Sequence, residues 1–141
     1  MSLSWKHESP AHWDQDKARV VGGAPKGVFK DSESKYNLGQ MVPGEWWQVT
    51  SPEGQVIGYG WMDIVWGDGE ILLAVAPDAQ GAGVGAWILE RLSEEAAARG
   101  LRYIYNMVLP THPERAAVTA WLTLQGFGVD NSGERLQKQV A

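Results

Sequence analysis

The sequence predicts a mixed α/β fold, and three observations carry that expectation. Between Glu45 and Val75, short runs rich in β-branched and aromatic residues are separated by Ser-Pro-Glu-Gly and Gly-Asp-Gly, the pattern of hairpin-linked antiparallel strands. From Val84 onward, apolar residues recur at helical spacing instead, at Val84, Trp87, Ile88, Leu92 and Ala96. The chain of 141 residues, 44% hydrophobic and without Cys, fits a single domain over residues 1–141. It is long enough to bury a core, and it has no disulfide scaffold or thiolate metal site.

Each element follows in order. Residues 11–21 put Trp13, Lys17, Val20 and Val21 near helical spacing, closed by Gly22, Gly23 and Pro25, and predict a short helix. Residues 22–45 are rich in Gly, Lys, Ser, Asp and Pro without firm periodicity, although Val28, Phe29, Tyr36 and Leu38 are compatible with a short second helix. Strands are predicted over 45–50, 55–65 and 70–75, joined by turns at 51–54 and 67–69. Residues 84–99 form a helix stopped by Gly100, and 101–109 a mostly apolar strand. Residues 111–114 read as a capping box, with Thr111 as cap and Pro113 in the first turn. The helix it starts, 116–125, is expected to bury Ala117, Ala120, Trp121 and Leu124. Weaker strands over 127–129 and 136–140 flank a turn at 130–133. The predicted order is α–β–β–β–α–β–α–β–β, a layered α/β arrangement.

Composition narrows the function classes. Lys and Arg number 12 against 17 Asp and Glu, leaving a net charge of −5. That disfavours a nucleic-acid partner and leans toward neutral or cationic small molecules. No stretch approaches the ~18 unbroken apolar residues of a membrane span, and the first residues lack the apolar run of a secretory signal. A cytoplasmic protein without a membrane partner is expected. His7 and His12 have no metal-ligand spacing, so no metal is expected. The 8 Trp residues point to a heavily packed core, with some available to line a pocket.

The chemistry concentrates between Glu70 and Leu89. A buried strand runs into a glycine-rich turn, and the turn opens a helix. Gly81, Gly83 and Gly85 permit positive φ and close ligand approach. Successive N–H groups then face outward at the positive end of the helix dipole, a cradle suited to a phosphate or diphosphate. A P-loop is excluded because Ala86-Trp87 stands where Lys-Ser/Thr is required. A dinucleotide fingerprint is excluded by the G-x-G-x-G spacing and by the lack of an acidic residue about 20 positions on.

Gln80-Gly81-Ala82-Gly83-Val84-Gly85, after Val75-Ala76-Pro77, resembles the Q/R-x-x-G-x-G/A signature of the GCN5-related N-acetyltransferases, the GNAT superfamily. Gln125-Gly126-Phe127 is similar to the family's C-terminal Gly-Phe landmark, and the likeness spans roughly residues 45–130. The resemblance implies a central, mixed but mostly antiparallel sheet with helices on both faces and a splayed strand pair. It implies acetyl-CoA as co-substrate, its diphosphate on the amides of Gln80, Gly81, Ala82, Gly83, Val84 and Gly85. The pantetheine arm would run along the strand edge at Leu73, Ala74 and Val75, into a slot between strands 70–75 and 101–109. There a primary amine of a small molecule or peptide would attack the thioester directly, with a backbone N–H near Val75 polarising the carbonyl. Self-association as a homodimer is compatible with this reading.

An attacking amine must lose a proton. Glu70, near which some family members place a catalytic Glu, is a candidate base; the other reading is a solvated strand-end carboxylate. Asp63 is a weaker candidate. Where the family often carries a proton-donating Tyr, four residues before the Gly of Gly-Phe, this chain has Leu122. Tyr105 is the candidate substitute, its alternative being packing with Met107 and Trp121. His112-Pro113 occupies the neighbourhood of a common family Asn, and His112 is read as a loop-exposed residue, with ligand contact as the alternative. The loop has no Lys or Arg, which leaves Arg91 and Arg115 as candidates for the 3′-phosphate or as exposed helix charges. Trp61, Trp87 and Trp121 are assigned to the core, and Trp46, Trp47 and Trp66 to burial or to an acceptor wall. Leu122 also admits a rival reading, a non-catalytic acyl-CoA-sensing domain of the same fold that binds a protein partner.

Overall fold

Hairpin chemistry lays down the first half of the sheet. The computed structural model describes residues 2–22 and 36–140. Its strands are β1 (Ser4–Glu8), β2 (Glu45–Thr50), β3 (Val56–Val65), β4 (Asp68–Val75), β5 (Tyr103–Met107), β6 (Gly128–Val129) and β7 (Arg135–Gln139). Its helices are α1 (Gln15–Val20), α2 (Val84–Ala98) and α3 (Arg115–Leu124), with a 3₁₀ turn at Pro77–Ala79. The seven strands form one sheet in the order β1-β2-β3-β4-β5-β7-β6. Every neighbouring pair is antiparallel except β4–β5. This is the mixed, mostly antiparallel sheet that the resemblance implies.

Two helix-bearing faces follow from strand alternation. On β3, Gly58, Gly60 and Met62 face α2, whereas Tyr59 and Trp61 face the α1 side. Gly60 is needed for close approach: a Cβ there would stand 2.7 Å from the Trp5 ring and 3.3 Å from Ile88 and Leu92. One core, with Trp47, Met62, Ile71, Ile88, Leu92 and Ile104, lies between the sheet and α2. A second, with Trp13, Val20, Trp46 and Tyr59, lies under α1. Lys17 is wholly buried beside this second core. Its ammonium donates to Glu8 and to the His12 carbonyl, sits 3.3 Å from Asp14, and lies over the rings of Trp46 and Tyr59.

Several expectations are corrected. The strand β1 was not predicted, because Ser-Trp-Lys-His-Glu has neither alternation nor an apolar run; its pairing with β2 supplies what its sequence lacks. The helix expected over 11–21 is only Gln15–Val20, capped by the Asp14 carboxylate accepting from the Lys17 N–H at 2.8 Å. Ahead of it the chain is non-helical, with Asp14 extended and His12 bridged to Met41. The possible second helix at Val28 and Phe29 lies outside the described residues, and Tyr36 and Leu38 are in irregular chain. The β3–β4 turn is centred on Trp66 and Gly67, with φ of 51° and 81°, so Asp68 and Gly69 already belong to β4.

The capping box at 111–114 does not form. The α3 helix starts at Arg115 with Glu114 at the N-cap and no side-chain cap, and Pro113 precedes it. Its buried residue is Leu122, with Val118 and Trp121 partly buried, while Ala117 and Ala120 are exposed and Leu124 is 83% exposed. Ten residues with apolar groups all round leave the docking face undetermined by periodicity, and contact with the sheet decides it. Among the Trp residues, Trp46 and Trp47 are buried and Trp66 is 93% exposed. None of these three lines the slot or groove described next. Among the described residues, no helix is long and apolar enough to cross a membrane, and no group of three or more His, Asp and Glu side chains could hold a metal.

Candidate active site

The site begins where two parallel strands part. The β4–β5 ladder holds two pairs, Gly69 with Ile104 and Glu70 with Tyr105. Beyond them the strands diverge, and a slot of about 200 Å³ opens between them, walled by β4, β5, Leu89 of α2 and Leu122 of α3. Asn106 spans the gap, its side-chain amide donating to the Ile71 carbonyl at 2.8 Å. That contact shows which way β4 turns its polar groups. Ile71 offers its carbonyl to the gap, so alternation aims the backbone groups of Leu73 and Val75 into the same gap. The Gln80 side chain accordingly donates to the Val75 carbonyl at 3.2 Å.

Past β4 the slot widens into a groove of about 990 Å³. The glycine loop forms one wall. Gly81 and Gly83 both have φ of 81°, a conformation L side chains rarely adopt, and a Cβ at either would meet nothing within 4 Å. The glycines are required by backbone conformation, and the space outside them is open. Gly83 is the N-cap of α2 and offers no side chain to the first-turn N–H groups, so these face the groove at the positive end of a 15-residue helix. At Gly85 a Cβ would touch the Trp121 ring at 3.4 Å, which brings α2 and α3 together beside the groove. Of the sequence-predicted cofactor positions, Leu73, Ala74, Val75, Gln80, Gly81, Gly83, Val84 and Gly85 line the groove. Ala82 is exposed on the same loop but is not part of the lining.

The acid–base candidates divide. Glu70 lines the slot at its closed end, opposite Asp63 on β3 and Tyr105 on β5. Tyr105 is buried outside the slot lining, and the Arg135 guanidinium lies 3.8 Å from its ring centroid. Burial, and then the negative charge of Glu70, hold its phenol above the usual tyrosine range, so it keeps its proton at neutral pH. Arg135 is itself held by Asp68 at 2.8 Å and by Gln137 at 2.9 Å. Tyr105 therefore packs against Arg135 and Glu70. Arg91 pairs with Glu90 and Glu94 over the Trp87 ring, and neither Arg91 nor Arg115 lines the groove.

The model of the acetyltransferase (GNAT) domain family matches residues 43–127. The chain belongs to the GNAT acetyltransferase family. No curated protein matches its sequence. Among solved structures, a GNAT-family protein from Desulfovibrio desulfuricans is similar over 99% of this chain and 100% of its own, with 16% identity and a TM-score of 0.72. PaiA N-acetyltransferase from Thermoplasma acidophilum, solved with coenzyme A, has 17% identity and a TM-score of 0.56 over 67% of this chain and 59% of its own. A phosphinothricin acetyltransferase from Sinorhizobium meliloti, solved with acetyl-CoA, has 21% identity and a TM-score of 0.54 over 68% of this chain and 60% of its own. At such identities the likeness is one of fold.

Sequence reasoning missed Asn106 in this GNAT chain, and for His112 it left ligand contact as the second reading. Asn106 reads as one polar residue in an apolar strand, and only the divergence of β4 and β5 gives it a task. His112 reads as a loop residue, yet it lines both slot and groove. Its Nδ1 accepts the Glu114 backbone N–H at 3.0 Å. No periodicity or spacing marks Asn106, because its role arises from the parting of two strands.

Proposed function

We propose that this chain transfers the acetyl group of acetyl-CoA to a primary amine of a small molecule or peptide by direct attack. The observation that carries the reading is the splay of β4 and β5 beside the open glycine loop, with Leu73, His112, Val118 and Trp121 lining both cavities. Backbone amides of the loop and the helix start, Gln80 to Gly85, would hold the diphosphate, compensating for the absence of Lys and Arg in the loop. Backbone groups of Leu73 and Val75 would pair with the pantetheine amides, and an N–H near Val75 would polarise the thioester carbonyl. The coenzyme-bound structures of the two relatives support the choice of co-substrate.

Glu70 is proposed as the base. It stands at the closed end of the slot, within reach of an amine approaching from the α1 side, and would take that amine's proton as the new C–N bond forms. Tyr105, with its proton retained and its ring held under Arg135, is proposed to position Glu70. Acetyl-CoA supply favours a cytoplasmic site of action.

Calorimetry with acetyl-CoA, followed by thiol release against a panel of primary amines, tests the proposal. Micromolar binding with turnover on at least one amine is expected. Binding and thermal stabilisation without turnover on any amine would favour the acyl-CoA sensor, a reading supported by Leu122 lining the slot without a hydroxyl. No heat of association at millimolar acetyl-CoA would overturn both.

A further inference from the structure

We propose that His112 is a catalytic residue that donates a hydrogen bond from Nε2 to the coenzyme A sulfur as it departs. This rests on the acetyl-transfer reading above and adds to it the group that meets the leaving thiolate. Leu73, His112, Val118 and Trp121 are the side chains common to slot and groove, so His112 stands at the junction that a thioester must occupy. Leu73 and Val118 are aliphatic, and Trp121, the other side chain there with a donor, turns its Cζ2–Cη2 edge to Gly85. Within the slot, the Asn106 amide is engaged with the Ile71 carbonyl, ionised Glu70 only accepts, and Leu122 offers no donor.

The hydrogen bond at Nδ1 fixes what His112 can do. A nitrogen that accepts the Glu114 N–H carries a lone pair, which places the N–H of the imidazole on Nε2. Glu114 is the N-cap of α3 and leaves that cap without a side-chain acceptor of its own, so the helix start holds the ring in place. A donor positioned by backbone needs no reorganisation when charge develops. In the reaction the amine nitrogen bonds to the thioester carbon, and the C–S bond breaks with its electron pair going to sulfur. The amine's proton passes to Glu70 and then to water. The thiolate accepts the Nε2–H hydrogen bond and afterwards takes a proton from water, while His112 keeps its own.

Paired substitutions separate this role from loop structure. Asn places an acceptor where Nδ1 was, preserving the contact with the Glu114 N–H, but has nothing at the Nε2 position. Gln places an N–H there and gives up that contact. We expect His112→Asn to lower kcat by about 10- to 100-fold, with acetyl-CoA affinity by calorimetry within about 3-fold of the unsubstituted protein, and His112→Gln, which keeps a donor but not its hold, to lose several-fold less than His112→Asn. Full activity in His112→Asn would overturn the proposal, as would equal losses in Asn and Gln. Those results leave the acetyl-transfer reading standing. Failure of the unsubstituted protein to bind acetyl-CoA, or to turn it over, would overturn both.

Discussion

Single side chains carry the proton chemistry here. At the slot, Glu70→Gln removes the proposed base while keeping its size. It should lower kcat/KM by about 100-fold or more at neutral pH. Acetyl-CoA affinity, measured separately by calorimetry, should be unchanged. In the core under α1, Tyr59 gives a pH signature. Burial, with the negative charge of Asp14, Glu8 and Asp16, lifts its phenol well above the ordinary range. The folded state thus holds that proton more tightly than the unfolded chain. The corresponding stability is complete below about pH 10 and declines as pH rises from there toward the folded pKa. Urea denaturation at about pH 8 and about pH 11 should show a smaller alkaline loss for Tyr59→Phe than for the unsubstituted protein. In the sequence Glu70 reads as a strand-end carboxylate with base as the alternative, and Tyr59 as one aromatic among many.

At the scale of elements, the joins between strand and strand and between strand and helix decide the outcome. Gly83 adopts a left-handed φ where α2 begins. A β-branched residue there costs about 1–2 kcal/mol in backbone strain and also displaces the N–H groups facing the groove. Gly83→Val should therefore destabilise the fold by that amount in urea titration and weaken acetyl-CoA binding about 10-fold or more. Asn106 matters for a different reason: its amide satisfies a β4 carbonyl that β5 has moved away from. Asn106→Leu leaves the Ile71 carbonyl without that donor and should cost about 1–3 kcal/mol, read by the same titration. The glycine spacing was legible because a positive φ restricts residue choice. The α3 docking face was not, since Ala117, Ala120 and Leu124 are as apolar as the side chains that are buried.

The whole molecule depends on strands brought together from distant parts of the chain. Through Glu8 and the wholly buried Lys17, β1 is tied to α1, and through Trp5 to Glu95 of α2, so one edge strand grips both faces of the sheet. Lys17→Met removes the cation that Glu8 faces and should destabilise the protein by about 3–5 kcal/mol, measured from chemical denaturation. By itself the sequence determined the layered α/β class, the hairpins of the β2–β4 region, the limits of α2 and the glycine loop. These are local matters, set by turn chemistry, by periodicity and by where a backbone needs positive φ. Tertiary structure decided that β1 is a strand, that β4 and β5, whose splay the resemblance implies, part after two pairs, and that His112 and Asn106 line the same opening. Strand pairing and the gap between strands depend on residues far apart in the chain, and no local pattern encodes a distance that only packing sets.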